Sequence, residues 1–262
     1  MYFSFLRKCS VYCLLVLLSV VWDIVSPAWS KGEVYKTLHY NVVVETVVDS
    51  LVHPWGIAFL PDRSMLVTER DGKLNLISIN GKVTRIAKIP KVWAEGQGGL
   101  LDVAVDKSFA QNRTIYLSYA EPSTDGKKAG TAVARALLKR VGRVELQNVR
   151  VIFSQSNKTS SGVHFGSRIV VAPDNSLFVT VGDRGDRTRA QDKFDHAGSI
   201  IRINRDGSVP PDNPYVGGKE ALPEIWSIGH RNPQGAIWHP LTKSLWTVAH
   251  GAKGGDEINR PE

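Results

Sequence analysis

A short motif that repeats along the chain constrains the fold more than any other feature. Residues 59–68 read FLPDRSMLVT and residues 171–180 read VAPDNSLFVT. A looser copy, WHPLTKSLWT, occupies 238–247, and a fourth begins at 104 with AVDK and continues at 114 with TIYLS. Each copy joins two apolar runs through a Pro/Asp turn, which predicts a β-hairpin. Repeated hairpins of this kind are typical of a β-propeller, where each forms the inner part of a blade.

The segments between these copies also predict strands. Short runs rich in Val, Ile, Leu and aromatic residues alternate with turn signals, and no long amphipathic helix is evident. The Asp-Gly pair at 71–72 and the Asn-Gly pair at 80–81 are typical of tight hairpins. Generic hairpins are the alternative interpretation, since they also use Pro/Asp turns. We therefore predict an all-β chain with about four propeller blades, counted from the anchors near 61, 107, 173 and 240.

The first thirty residues predict an export signal. A basic pair, Arg7-Lys8, precedes an apolar run over 11–22, and Ala28-Trp29-Ser30 offers small residues where a signal peptidase cleaves. The run is shorter than the roughly 20 residues of a membrane span. Residues 1–30 are thus expected to be a cleaved secretory signal and 31–262 a partial propeller domain, which predicts a periplasmic or secreted protein without stable membrane insertion. An uncleaved N-terminal anchor is the alternative.

Composition narrows the chemistry that such a chain performs. Its only two cysteines, Cys9 and Cys13, fall within the expected signal, which argues against a disulfide scaffold, a Cys-ligated metal or a Cys nucleophile in the mature chain. The net charge of +8 is spread along the sequence without a dense Lys/Arg run, so a nucleic-acid partner is not expected. An exported enzyme of this kind would depend on His, carboxylates, Arg or a bound cofactor.

Two polar clusters stand at the start of predicted inner strands. Gln97 lies in a Gly-rich turn, EGQGG, whose glycines allow a ligand close to the backbone. His164 precedes the strand near 169 and is a candidate general base, because imidazole titrates near neutral pH. Asp183 ends the next strand, and the hairpin would bring it beside His164 to orient the ring. A flexible turn and a structural histidine are the alternative interpretations.

Two further clusters lie near the end of the chain. The string GHRNPQG at 229–235 concentrates Arg231, Asn232 and Gln234 in a turn, a set of directional donors suited to carboxylate or quinone oxygens. The string HGAKGGDE at 250–257 offers loop carbonyls and two carboxylates, oxygen ligands of the kind that Ca²⁺ prefers. An ordinary acidic turn explains the second string equally well.

Taken in order, these motifs resemble one known family. The strings are GQGGLLDVAVD, HFGSRIVVAPD followed by VTVGDRGD, IRINRDGSVPPDNPY, IGHRNPQG and HGAKGGDEIN. They resemble the PQQ-dependent glucose/sorbosone dehydrogenases, and more closely the bacterial soluble aldose sugar dehydrogenases. The resemblance implies a six-bladed propeller that binds pyrroloquinoline quinone (PQQ) near its axis. It also implies oxidation of the anomeric carbon of aldose sugars to the lactone, with an electron acceptor that the sequence does not identify.

The same resemblance implies roles for the polar residues. His164 would take the proton of the C1 hydroxyl while hydride passes to the quinone, Asp183 would orient it, and Arg231 would polarise the accepting carbonyl. The implied cofactor contacts are Gln97, Arg231, Asn232 and Gln234.

The resemblance also implies two calcium sites. The carbonyls of Gly251 and Ala252 would hold a Ca²⁺ that bridges to the cofactor, and Asp256 and Glu257 would bind a second, structural one. Ala252 stands where some relatives have Pro, which matters little where only the carbonyl is used.

The final residues depart from the family pattern. The sequence ends at Glu262, within what the family treats as the middle of a blade. We therefore expect an incomplete propeller and weak or no PQQ binding by this chain alone. Two other functions stay open: a non-catalytic exported propeller that binds sugar or protein, and a Ca²⁺-dependent lactonase.

Overall fold

The structure is a computed structural model that describes residues 32–261. The expected signal over 1–30, with Cys9 and Cys13, lies outside the described residues. Two compact units divide the chain, the first ending at Asp49 and the second beginning at Ser50. The first unit holds one antiparallel hairpin, β1 (Glu33–Lys36) and β2 (Asn41–Val44). Among the described residues, no helix has the length and apolar character needed to cross a bilayer.

The second unit consists of four antiparallel sheets, which we call blades 1 to 4 in chain order. Their strands follow one another in sequence within each sheet. Blade 1 comprises β3 (Pro54–Phe59), β4 (Met65–Glu69), β5 (Lys73–Ile77) and β6 (Val83–Ile86). Blade 2 comprises β7 (Leu100–Val105), β8 (Thr114–Pro122), β9 (Ala129–Lys139) and β10 (Glu145–Ser154).

Blade 3 comprises β11 (Ile169–Val171), β12 (Leu177–Thr180), β13 (Ser199–Ile203) and β14 (Ile225–Ile228). Blade 4 comprises β15 (Pro233–His239), β16 (Ser244–Ala249) and β17 (Glu257–Asn259). One short helix, α1 (Phe109–Asn112), and one 3₁₀ turn (Arg189–Gln191) complete the second unit. This four-blade arrangement confirms the predicted all-β propeller class.

The repeated motif folds in the same way in blades 1 and 3. In blade 1, Asp62 accepts from the backbone N–H and hydroxyl of Ser64, and Arg63 adopts a φ of 65°. In blade 3, Asp174 accepts the same two bonds from Ser176, and the residue between them has a φ of 70°. The aspartate thus caps the turn that joins the two inner strands, which explains why this position recurs in both copies.

Apolar side chains from adjacent blades form the core between them. The cluster between blades 1 and 2 includes Leu66, Leu100 and Leu117, all fully buried. Tyr116, Val133 and Leu177 fill the space between blades 2 and 3, and Phe178 meets Leu245 and Trp238 between blades 3 and 4. Burial of apolar surface between the sheets holds the blades together.

A hydrogen bond from a hydroxyl also joins each blade to the next. In each case the hydroxyl stands on the second strand of one blade and donates to a carbonyl near the start of the following blade. The three bonds are Thr68 to Leu101 at 2.5 Å, Ser118 to Ser167 at 2.5 Å and Thr180 to Pro233 at 2.7 Å. Each hydroxyl also accepts a backbone N–H of its own blade, from Gly56, Asp102 and Arg168 respectively. These bonds fix the inner strands against one another.

Two outer faces of this arrangement carry exposed apolar side chains. On blade 1, Ile57 is 53% exposed and Phe59 is 67% exposed. On blade 4, Val248 and Ile258 face each other across β16 and β17 with exposures of 51% and 72%. Apolar strand faces at both ends of the four blades are therefore open to solvent.

Strands β9 and β10 are the main departure from the predicted elements. β8 continues to Pro122 and β9 begins at Ala129, so only the turn at 123–128 separates them. The sequence of β9, AGTAVARALLK, is rich in Ala and Leu, which favour helices in isolation. Pairing with β8 along nine residues and burial on both faces override that local preference.

Candidate active site

His164 and Asp183 are in hydrogen-bond contact beside the inner strands of blade 3. His164 stands in the loop that leads into β11, and Asp183 follows β12. Nδ1 of His164 lies 2.6 Å from Oδ1 of Asp183, and the two side chains are 14% and 3% exposed. We assign the proton to Nδ1 because a carboxylate faces it. Nε2, which bonds to no described residue, is then free to accept a proton.

The backbone around His164 allows this close approach. His164 has a φ of 53°, in the left-handed region that side chains other than glycine seldom adopt. Gly182 packs so closely on it that a Cβ there would lie 2.2 Å from the His164 carbonyl oxygen. On the other side, the side-chain oxygen of Gln97 accepts the His164 N–H at 2.8 Å. The His164 loop is therefore held between blade 3 and the Gly-rich turn before β7.

Arg231 connects this pair to the loop after β16. Its backbone carbonyl accepts the N–H of Asp183 at 2.8 Å. Its Nη1 donates to the carbonyls of Gly251 at 2.7 Å and His250 at 3.2 Å. The half-buried guanidinium thus stands between the His164 pair and the loop in which calcium ligands were predicted.

Asn232 and Gln234 serve mainly as supports in this structure. Asn232 is 3% exposed, and its side-chain oxygen accepts the N–H of Gly166 at 3.0 Å. Gln234 lies 3.1 Å from Nε2 of His250 through its side-chain oxygen. Both also line a cavity beside Arg231, so their predicted contact with a cofactor remains a prediction.

Two cavities share His164 and Arg231 in their walls. The smaller, of about 340 Å³, brings together the predicted cofactor contacts; its lining includes Gln97, Asn232, Gln234 and Gly251. The larger, of about 740 Å³, extends over the loop 185–191 and the turn at 229–231. The predicted catalytic and cofactor residues therefore meet at one place, with open space on either side of His164.

The predicted calcium ligands do not converge as placed. The carbonyl of Gly251 accepts from Arg231, and that of Ala252 accepts the N–H of Gly255 at 3.1 Å. Asp256 accepts the Gly251 N–H, whereas Glu257 accepts from the side chain of Asn259. Within residues 32–261, no group of three or more His, Cys, Asp or Glu side chains is arranged to hold a metal. The residues as placed do not fit a Ca²⁺, which needs six to eight converging oxygens.

A buried ion pair near the inner strands was not singled out from the sequence. Asp102 is 2% exposed, lies 2.7 Å from Nη1 of Arg168 and accepts the N–H of Ile169. Arg168 also donates to the Gln234 carbonyl and stacks on the ring of Trp55. Burial raises the pKa of the Asp102 carboxyl to about 6, against the lowering effect of Arg168. A lone carboxylate within the apolar strand LLDVAV was the available signal.

Arg184 was not singled out from the sequence either, because the Arg-Gly-Asp string to which it belongs arises readily by chance. It is 2% exposed and bonds to the carbonyls of Ser161 and Val163, beside His164. Its position directly after Asp183 was the signal available in the sequence.

Comparison with known proteins shows which family this chain resembles. Residues 51–262 match the model of the Glucose / Sorbosone dehydrogenase family. The aldose sugar dehydrogenase YliI of Escherichia coli is 44% identical over 224 residues, which cover 85% of this chain and 60% of the relative. Quinoprotein glucose dehydrogenase B of Acinetobacter calcoaceticus is 29% identical over 94% of this chain and 55% of its own length.

Solved structures agree with the sequence relatives. The soluble aldose sugar dehydrogenase of Escherichia coli in its apo form superposes with a TM-score of 0.79 at 42% identity, covering 83% of this chain and 63% of that one. The PQQ-bound aldose sugar dehydrogenase of Streptomyces coelicolor gives a TM-score of 0.75 at 29% identity, covering 89% and 65%. The chain spans about 55–60% of the length of these sequence relatives. On its fold and on the family match over residues 51–262, this chain belongs to the glucose/sorbosone dehydrogenase family.

Proposed function

We propose that this site oxidises the anomeric carbon of aldose sugars to the lactone in a PQQ-dependent reaction. The observation that carries the proposal is the contact between Nδ1 of His164 and the Asp183 carboxylate, beside Arg231 in the same cavity wall. A relative named as an aldose sugar dehydrogenase and a PQQ-bound neighbour support the substrate class and the cofactor.

The residues around the smaller cavity fit an anionic quinone. Arg231 supplies a cationic group, and Gln97 and Gln234 supply amides. Glycines at 96, 98 and 99 allow the turn that carries Gln97 to pack closely on Gly162, Trp93 and Arg70. PQQ is a flat molecule with three carboxylates and an ortho-quinone, so cationic and amide donors are the groups that would recognise it. When bound, it would supply the two-electron acceptor for the sugar.

His164 performs the proton chemistry in this proposal. Its Nε2 accepts the proton of the C1 hydroxyl as the C1 hydrogen leaves with its electron pair, and the carbon becomes the lactone carbonyl. Asp183 keeps the proton of the neutral ring on Nδ1 and stabilises the imidazolium that forms. The guanidinium of Arg231 would bind the quinone oxygen and stabilise negative charge there.

Calcium enters this proposal only as an expectation. A Ca²⁺ on the Gly251 carbonyl would require Arg231 to release that oxygen first. The electron acceptor after the sugar stays unidentified. We also propose export to the periplasm or beyond, on the signal-like sequence of residues 1–30.

The test is reconstitution of the chain with PQQ, in the presence and absence of Ca²⁺, followed by dye-linked oxidation of aldoses. At PQQ concentrations high enough to load the chain, the proposal expects sugar-dependent dye reduction that His164→Gln abolishes. Bound PQQ that sugar fails to reduce would contradict the proposal and favour the binding-module alternative. The expectation of weak or no PQQ binding by this chain alone remains a prediction, and titration of the cofactor measures it directly.

A further inference from the structure

Three arginines in the loop after β12 have different surroundings. Arg187 lines the larger cavity and pairs with no described residue. Arg189 makes a two-point ion pair with Asp195, at 2.8 Å and 2.9 Å. Arg184 is the most buried of the three, at 2% exposure, yet no described carboxylate forms a salt bridge with it. Arg184 therefore calls for an explanation other than an ordinary ion pair.

The partners of Arg184 all belong to the loop that carries His164. Nη1 donates to the carbonyl of Val163 and Nη2 donates to the carbonyl of Ser161. The guanidinium carbon lies 3.4 Å from the ring centroid of Phe165, so the cation also rests on an aromatic face. One side chain thus contacts the residues on both sides of His164.

Burying this guanidinium has a cost that stability alone does not require. The pKa of Arg184 is lowered to about 10, mainly by desolvation and also by the charge of Arg189, while the charge of Asp183 raises it. At neutral pH the group stays charged, and its Nε is buried without a hydrogen-bond partner among the described residues. An apolar side chain of similar size would avoid this desolvation. The arginine therefore points to a constraint on the loop that an apolar residue would not provide.

Both members of the His164–Asp183 pair are affected by this constraint. Asp183 and Arg184 are consecutive, so the same turn carries the carboxylate that contacts the His164 ring and the guanidinium that binds the backbone of the His164 loop. We propose that Arg184 is a positioning residue that holds His164 in register with Asp183. By fixing the carbonyls of Ser161 and Val163, it maintains the left-handed backbone of His164 and directs Nδ1 to the carboxylate. The catalytic consequence rests on the proposed function, whereas the positional claim does not.

The test is proton NMR of the full chain without cofactor. A hydrogen-bonded Nδ1–H of His164 gives a downfield resonance, which the variant His164→Gln identifies by its loss. We expect Arg184→Met to lose or markedly broaden this resonance while the protein remains folded. Arg184→Lys should retain it in weakened form, because an ammonium can replace only one of the two hydrogen bonds that the planar guanidinium donates to the loop carbonyls.

Arg189→Lys is the matched control, since it removes a guanidinium of the same loop that does not contact the His164 loop at 161–165. It should lower the unfolding temperature and leave the His164 resonance in place. A folded Arg184→Met or Arg184→Lys protein with the wild-type resonance would overturn the proposal. If Arg184→Met does not fold, Arg184→Lys alone decides the outcome.

A second measurement tests whether the positioning of His164 by Arg184 affects catalysis. In PQQ-loaded protein, Arg184→Lys should lower kcat by about 100-fold, the cost of a base displaced by about 1 Å. The KM for sugar should change little, because Arg184 does not line either cavity. An unchanged kcat beside a weakened resonance would reject the role of His164 as base, not the positional claim. Absence of turnover in the wild type would affect only the proposed function.

Discussion

The two sides of the candidate site are built in contrasting ways. On one side, the His164–Asp183 pair rests against Arg184, and both Asp183 and Arg184 are almost fully buried. On the other, the loop 250–257 is largely exposed, and its carbonyls accept hydrogen bonds from Arg231 and from its own backbone. The buried side already holds the His164–Asp183 contact that the proposed proton transfer needs. The exposed side would have to rearrange before it could hold a metal, and Arg231 is the residue that connects the two.

The largest expected effect comes from breaking the buried side. Asp183→Asn should lower sugar oxidation by PQQ-loaded protein by about 10³- to 10⁴-fold, because an amide no longer selects the tautomer with a free Nε2. Dye-linked kinetics measure this loss. Asp186→Asn, an acid of the same loop that lines the larger cavity, is the control and should stay near wild type. Equal losses in both variants would show that charge in the cavity, not ring orientation, is responsible.

The next effect concerns Asp102, whose partner Arg168 holds the Gln234 backbone near the exposed side. Because burial raises the folded-state pKa of Asp102 from 3.8 to about 6, the folded chain retains a proton that the unfolded chain has lost. The free energy of unfolding should therefore fall as the pH rises from about 4 to about 6, by about 3 kcal/mol.

Urea unfolding at several pH values in that range measures the trend. In Asp102→Asn this part of the pH dependence should vanish, so the difference between variant and wild type isolates the Asp102 contribution. A wild-type curve that tracks the variant across the range would contradict the assignment.

The third prediction concerns Ca²⁺ binding by the exposed loop 250–257. A Ca²⁺ on the Gly251 carbonyl would compete with the Arg231 guanidinium, since two cations on one oxygen repel each other. Arg231→Gln should therefore bind Ca²⁺ about 10- to 100-fold more tightly than wild type, the equivalent of one lost charge-assisted hydrogen bond. Calorimetric titration without PQQ measures the affinities.

Arg187→Gln controls for the change in net charge, because Arg187 lines the same larger cavity as Arg231 without contacting the loop 250–257. It should alter Ca²⁺ affinity only slightly. Weaker Ca²⁺ binding by Arg231→Gln, or equal gains in both variants, would contradict direct competition.

The smallest expected effect comes from the hydroxyl bond that joins the two sides. Thr180 donates to the carbonyl of Pro233, one residue after Asn232. Thr180→Val keeps the shape but leaves that carbonyl without its donor and the Arg168 N–H without its acceptor, and should lower the free energy of unfolding by about 1–2 kcal/mol. Thr84→Val is the control, because the half-buried Thr84 hydroxyl bonds to no described residue. Equal stability changes in the two variants would remove the inter-blade bond as the cause.

Local sequence signals predicted the inner hairpins well. The capped turns at Asp62 and Asp174 depend on neighbours two residues away, so they can be predicted from a few letters. The outer strands β9 and β10 could not be predicted in this way. Their composition is mixed, and only pairing with β8 and burial between blades makes them strands.

In the candidate site too, some contacts can be predicted from local sequence and others cannot. The contact between His164 and Asp183 could be expected, because a single hairpin separates the two residues. The link from Asp102 to Arg168 joins residues 66 positions apart in different blades. No local sequence pattern predicts that Asp102 and Arg168 meet, since their contact depends on how the sheets pack against one another.

The hairpin repeat, the all-β class and the order of the polar motifs can all be inferred from the amino-acid sequence, because they depend on side-chain periodicity and turn chemistry within a few residues. Which polar groups meet depends on the packing of the folded chain. That packing placed the Arg231 guanidinium on the Gly251 carbonyl and buried Arg184 against the loop of His164. The physical reason is that these contacts form between loops whose separation is set by the packing of whole blades, a property of the assembled core and not of any short segment.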